Sequence, residues 1–431
     1  MINSNSDPKV AEYIQHAAKA AWNVDGISED LPRRAIERVG IIGAGTMGGG
    51  ISMNFASAGI PVTIVETKQE ALDRGLGVIQ SNYQRSADRG RFPQEEVEIC
   101  MGRYTPTLDL SSLADCDLII EAVFEDMDIK KSVFSKLDEV AKPGAILATN
   151  TSALNIDEIA SVTSRPEDVI GLHFFSPANV MRLLEIVRAE KTADDVVATS
   201  VDLAKTIGKV ATLVGVCPGF VGNRILFARQ YQANALIYEG IMPWDIDSAF
   251  NEFGFKMGPF QMADLAGLDI GWKKGATTTN PIRDALCELD RRGQKTGAGY
   301  YDYDENRKNQ PSEVTAGIIR EITGAGDATL SSEAIIDRCI IPMINEALAI
   351  LEENKAQRPS DIDVVWINGY GWPLDKGGVM YFADMLGAER VLATMTELAA
   401  NDASIRVSPL LDQLISTGGR FVDIDTGGLK V

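Results

Sequence analysis

The run Gly43-Ala-Gly45-Thr46-Met47-Gly48 follows a short apolar stretch, Val39 to Ile42, and precedes a segment of helical composition. Glycine at the first position permits a tight turn and at the second lets backbone approach a pyrophosphate. At the third it lets the helix pack closely on the strand. A diphosphate would rest on the free N–H groups at the helix start, where the dipole favours negative charge. A second apolar run, Ile60 to Val65, ends in Glu66, whose carboxylate can accept both hydroxyls of a ribose and would repel a 2′-phosphate. This order predicts an NAD site on Gly43, Gly45, Thr46, Met47, Gly48 and Glu66, with Lys68 near enough to temper discrimination against NADP.

A second group of residues suits proton transfer. His173 lies in Ile170-Gly-Leu-His-Phe-Phe-Ser-Pro177, where a predicted strand reaches the carboxyl edge of its sheet, the edge at which ligands bind. A histidine beside two phenylalanines is by itself more often a packed core residue, so its neighbours decide. Glu185 sits in Arg182-Leu-Leu-Glu-Ile-Val, an apolar setting that holds a carboxylate only when something pairs with it. Ser152 follows another predicted strand end, and Asn223 opens a helical region after Pro218-Gly219; either could equally be a helix cap. Oxidation of an alcohol needs these parts. A base takes the hydroxyl proton as hydride leaves carbon, a carboxylate orients the imidazole, and short polar groups hold the oxygen. His173, Glu185, Ser152 and Asn223 are the expected catalytic set.

The elements that must carry these residues follow from periodicity. Apolar strands are predicted over 38–42, 61–65, 117–121, 145–149, 168–174, 183–187 and 209–214, alternating with helical stretches. That pattern predicts an α/β Rossmann-type doubly wound sheet, mostly parallel, with helices on both faces. Pro93 falls inside a long helical insertion after the second strand. After Cys217 strand signals largely vanish, giving an all-α C-terminal region made of two repeated helical units. Arg224, Asp245-Ile-Asp247, Pro259 and Asp264 recur as Arg338, Asp361-Ile-Asp363, Pro373 and Asp384. The expected domains are an N-terminal helical extension (1–36), the NAD-binding domain (37–215), a first helical domain (216–310), a linker (311–332) and a second helical repeat (333–431). Asp337 stands where the first copy has Asn223, so the second copy is expected to be structural.

Composition excludes several classes. Lys and Arg total 41 against 61 Asp and Glu, a net charge of −20 that opposes binding to nucleic acid or an anionic membrane. Five widely spaced cysteines without a C-x-x-C pair read as reduced core residues of a cytoplasmic protein. With only two histidines, a histidine-built metal site is not expected.

These motifs resemble the 3-hydroxyacyl-CoA dehydrogenase family. The likeness rests on G-A-G-T-M-G, E-A-V-F-E (Glu121 to Glu125), N-T-S, H-F-F-S-P, L-L-E, P-G-F-V-G-N-R and G-Q-K-T-G-A-G-Y-Y (Gly293 to Tyr301). It runs from about residue 36 to 395 and is nearest to the dehydrogenase half of the bifunctional fatty-acid oxidation enzymes. The resemblance implies NAD-dependent oxidation of (S)-3-hydroxyacyl-CoA to 3-oxoacyl-CoA, with His173 and Glu185 as a dyad assisted by Ser152 and Asn223. It also implies cofactor contacts at Glu125, Lys130 and Lys295, and at Ser176, where many members carry Asn. Arg85, Arg89 and Arg91 are candidates for the phosphates of an acyl-CoA thioester, though a solvated helix face explains them equally well. Single-unit relatives pair two subunits through the C-terminal domain. A second copy within the chain therefore points to a monomer, a pseudo-dimer of C-terminal units, with a homodimer as the alternative. The residues before the fingerprint are too few for a hydratase domain, so dehydrogenation alone is expected unless a separate enoyl-CoA hydratase is a partner. Two other readings are a dehydrogenase of a free β-hydroxy acid, which relies on a lysine base, and a non-catalytic, crystallin-like NAD-binding relative.

Overall fold

A computed structural model describes residues 7–275, 277–427 and 429. Its main sheet contains β1 (Val39–Ile42), β2 (Val62–Val65), β3 (Tyr104–Thr107), β4 (Leu118–Glu121), β5 (Ile146–Thr149), β6 (Val169–Phe174), β7 (Leu183–Arg188) and β8 (Val210–Gly215). The spatial order is β3-β2-β1-β4-β5-β6-β7-β8. Every neighbouring pair is parallel except β6 with β7. The apolar runs bury both faces of these strands, as a sheet covered on two sides requires. Helices α1 (Pro8–Ala20), α2 (Thr46–Ser57), α3 (Gln69–Asp88), α4 (Gln94–Met101), α5 (Met127–Val140), α6 (Ile156–Ala160) and α7 (Asp194–Thr206) accompany it, and α8 (Gly222–Tyr238) follows in the chain. The chain leaves β1 toward β2 on one side and toward β4 on the other, so the order reverses there and opens a crevice at the strand ends.

The doubly wound sheet is the one the alternation predicts, but three local details differ from expectation. The edge strand β3, Tyr-Thr-Pro-Thr, lacks an apolar run; Pro106 is tolerated because only β2 pairs with it. The insertion after β2 is two helices: α3 stops at Asp88, the chain turns at Gly90 with φ +65°, and Pro93 is the N-cap of α4. Within 311–332, expected as a linker, residues Glu313–Thr323 form a helix that Ser312 caps and Gly324 terminates in the left-handed region. Pro311-Ser312 on one side and Gly324-Ala-Gly326-Asp327 on the other concealed it.

The chain forms two compact units that interleave in sequence. The first comprises described residues up to 224, together with 349–370 and the described part of 420–431. In it the helix Pro359–Gly369 packs on β7 and β8 and also meets α1. The Tyr13 hydroxyl of α1 donates to Asp363 at 2.6 Å. The second unit comprises residues 225–348 and 371–419 and is predominantly helical. There Asp247 accepts the N–H groups of Phe260 and Gln261 at 3.0 and 2.8 Å and the Tyr301 hydroxyl at 2.7 Å. Burial pushes this carboxyl up to about 6, against those hydrogen bonds. Among the described residues, no helix is long and apolar enough to cross a membrane.

Candidate active site

The carboxyl ends of β1, β4, β5 and β6 converge on one cleft of about 810 Å³. It begins at Gly43, Gly45, Thr46, Met47 and Glu66 and continues to Ser152, His173 and Ser176. Its volume lies in the range usual for small-molecule and cofactor sites.

The glycine turn fits a dinucleotide. Gly43 has φ +101°, and a Cβ there would stand 2.8 Å from the Ala122 carbonyl oxygen. A Cβ on Gly48 would stand 1.9 Å from the Gly43 carbonyl oxygen, so only glycine lets α2 sit this close to β1. Around Gly45 space is open for 4 Å, and no side chain caps the helix that starts after it. The first-turn N–H groups are thus presented to the cleft, where a pyrophosphate would satisfy them. Glu66 accepts from Ala44 N at 3.0 Å and Thr67 N at 2.8 Å, which anchors the carboxylate at the turn with lone pairs left for ribose hydroxyls.

At the other end, antiparallel pairing sets His173 of β6 directly opposite Glu185 of β7. His173 Nδ1 and Glu185 Oε2 lie 2.7 Å apart, with Glu185 fully buried. Glu185 Oε1 accepts the Gly222 N–H at 2.9 Å, so both carboxylate oxygens are engaged. A carboxylate accepts only, so the Nδ1–H donates to it and Nε2 of this cleft-lining histidine is left as the acceptor. The imidazole packs against the Phe175 and Phe220 rings, with centroids 4.3 and 5.7 Å away. Asn223, in the first turn of α8, donates from Nδ2 to the Ser152 carbonyl at 3.4 Å. The structure thus gathers His173, Glu185, Ser152 and Asn223 from four separate segments.

Glu125 organises the Ser152 loop. Its Oε1 accepts the Thr151 hydroxyl at 2.7 Å, the Ser152 N–H at 2.7 Å and the Ser152 hydroxyl at 3.1 Å. Burial alone would raise this carboxyl, but the Thr151 and Ser152 hydrogen bonds and the Lys130 charge hold it below its ordinary value. With its O–H given to Glu125, Ser152 can donate to another oxygen only by exchanging that bond.

Other expected residues lie elsewhere. Lys130 does not line the cleft: only 1% exposed, its ammonium bonds both oxygens of the fully buried Glu121, at 2.8 and 3.0 Å, and lies 3.3 Å from Glu125. It supports the Glu125 loop from beneath. Sequence analysis missed Glu121, which also accepts the Thr149 hydroxyl and the Val123 N–H, each at 2.7 Å; an acid closing an apolar strand was the available signal. Lys295 belongs to the second unit, where it pairs with Asp269. Arg85, Arg89 and Arg91 are exposed and do not line the cleft, and Arg85 turns back onto Ser81 and Asn82 of its own helix. A CoA contact from them would have to lie outside this cleft. Asp337 pairs with Arg390 at 2.6 Å.

With this geometry in place, comparison with known proteins defines the class. Residues 38–217 match the NAD binding domain of 3-hydroxyacyl-CoA dehydrogenase, and residues 219–303 and 335–421 match its C-terminal domain twice. The chain belongs to the 3-hydroxyacyl-CoA dehydrogenase family. It is 44% identical over 424 residues to the peroxisomal bifunctional enzyme of Cavia porcellus, covering 91% of this chain and 58% of that protein. It thus spans less than two-thirds of that relative's length. Among solved structures, it resembles 3-hydroxybutyryl-CoA dehydrogenase from Escherichia coli, with TM-score 0.76, 27% identity and coverage of 89% of this chain and 99% of that one. The dehydrogenase part of multifunctional enzyme 1 from C. elegans matches with TM-score 0.68, 31% identity and coverage of 95% and 97%.

Proposed function

We propose that this protein catalyses reversible, NAD-linked oxidation of (S)-3-hydroxyacyl-CoA thioesters to 3-oxoacyl-CoA. The observation that carries this is the His173–Glu185 pair in the wall of the cleft that begins at the glycine turn. Gly43, Gly45, Thr46, Met47 and Glu66 would hold the dinucleotide, with Glu125 and Ser176 further along the cleft. Bound NAD supplies a nicotinamide ring that accepts hydride from the carbinol carbon.

The protein's own part is proton transfer and orientation. His173 Nε2 takes the hydroxyl proton of the substrate and returns it in the reverse direction. Glu185 keeps the proton on Nδ1, so Nε2 begins as the acceptor, and it stabilises the imidazolium that results. The Gly222 N–H steadies the second carboxylate oxygen and prevents the acid from rotating away. Asn223 holds the reacting oxygen in line with Nε2, joined by Ser152 once its hydroxyl exchanges Glu125 for the substrate.

The five cysteines are free and buried, which supports a reducing, cytoplasmic setting. Two C-terminal-domain matches in one chain support a monomer. The test is consumption of NADH with acetoacetyl-CoA, followed at the cofactor absorbance, for wild type and His173→Gln. Wild type should turn over readily and the variant should lose at least ~10²-fold in kcat. Equal rates would remove His173 from the mechanism, and an inactive wild type would remove the activity.

A further inference from the structure

Tyr370 ends the helix Pro359–Gly369 and lies in the second stretch that matches the family's C-terminal domain. With Phe253-Gly-Phe255 of the first copy matched to Tyr370-Gly-Trp372 of the second, its counterpart is Phe253, a ring without the hydroxyl. The ring stacks on Trp366 with centroids 4.5 Å apart and meets Phe175 edge-on at 5.5 Å. Its hydroxyl donates to Asn223 Oδ1 at 2.8 Å. A Cβ on Gly222 would come within 2.5 Å of the Tyr370 ring and hydroxyl, so this close approach requires glycine. The same Gly222 donates its N–H to Glu185. Tyr370 therefore touches three supports of the site: Asn223, the Gly222 backbone that steadies Glu185, and the Phe175 ring that packs on His173.

A side-chain amide can turn over and exchange its acceptor for its donors. A hydroxyl donating to Oδ1 selects one of the two orientations and directs Nδ2 toward Ser152, which lines the cleft. We propose that Tyr370 is a positioning residue that locks the Asn223 amide with its N–H groups turned toward the reacting oxygen, so the second helical copy completes the active site. On this reading the second copy has a role beyond structure. It rests on the role given to Asn223 above.

The experiment is a double-mutant cycle on the full chain with acetoacetyl-CoA and NADH: wild type, Tyr370→Phe, Asn223→Ala and the double variant. Phenylalanine keeps the stacked ring and removes only the hydroxyl, so thermal melting should leave the fold intact. Tyr370→Phe should lower kcat about fivefold to tenfold, the size of one hydrogen bond, with the KM for NADH unchanged. In the Asn223→Ala background the same substitution should change kcat by less than about twofold, because its effect passes through Asn223. A kcat for Tyr370→Phe equal to wild type, or an equal loss in both backgrounds, overturns the inference and leaves the proposed activity standing. An inactive wild type, or an Asn223→Ala as fast as wild type, overturns both this inference and the role it rests on.

Discussion

Replacing Glu185 with Gln tests the mechanism at its most buried point. The carboxylate is fully buried and accepts two hydrogen bonds, one from His173 Nδ1–H at 2.7 Å and one from the Gly222 N–H at 2.9 Å. Glutamine has nearly the same shape but one oxygen and one amide nitrogen, so it satisfies only one of these donors. If the oxygen faces His173, the amide opposes the Gly222 N–H, at a cost of about 1–3 kcal/mol for the unpaired buried donor. If the amide faces His173, it donates to Nδ1 and forces the proton onto Nε2, where the base must be free. Either way the imidazolium loses its negative neighbour. With charges about 4 Å apart and an effective dielectric of about 20, that attraction is worth ~4 kcal/mol, or about 10³-fold in kcat. Stopped-flow oxidation of NADH by acetoacetyl-CoA under single-turnover conditions reads this step directly. The KM for NADH should hardly change, because Glu185 does not line the cleft. A loss below about tenfold, or one confined to KM, would falsify the orientation argument.

Two other perturbations probe the groups beneath the site. Lys130→Met strands the buried Glu121 carboxylate without its cation and should cost about 3–5 kcal/mol in denaturant unfolding. Adding Glu121→Gln should recover part of that loss, and strictly additive losses would show that the two side chains are not coupled. Lys209, buried, donates to the Ala178 and Met181 carbonyls at 2.6 and 2.7 Å in the loop that follows Ser176, and burial pushes it from its usual 10.5 down to about 8. Because the folded value lies below the unfolded one, the native chain releases this proton first, and stability from this group rises between about pH 8 and 10.5. The melting-temperature gap between wild type and Lys209→Met should widen across that window; a constant gap would contradict it.

How much was legible depended on whether the signal was local. The glycine turn, the strand before it and the acid after β2 are chemically complete within residues 39–66, and turn geometry fixes their relation. The edge strand β3 was invisible because it has no apolar run and carries Pro106. The helix over 313–323 was hidden by the flanking residues that usually mark loops. The burial of Lys130 was equally concealed, since on an amphipathic helix a lysine reads as solvent-facing until a buried acid is found beneath it.

What the amino-acid order determined alone was the chemistry on offer: a phosphate-binding turn, an acid for a ribose, one imidazole, and one carboxylate stranded among apolar neighbours. Folding decided which of these meet. The antiparallel register of β6 and β7 set His173 across from Glu185, while Asn223 reached Ser152 across 71 residues of chain. Tyr370 arrived from 147 residues beyond Asn223, where no local pattern marked it. Contacts at such separations depend on how sheet and helices close together, and spacing along a chain does not encode that in any single window.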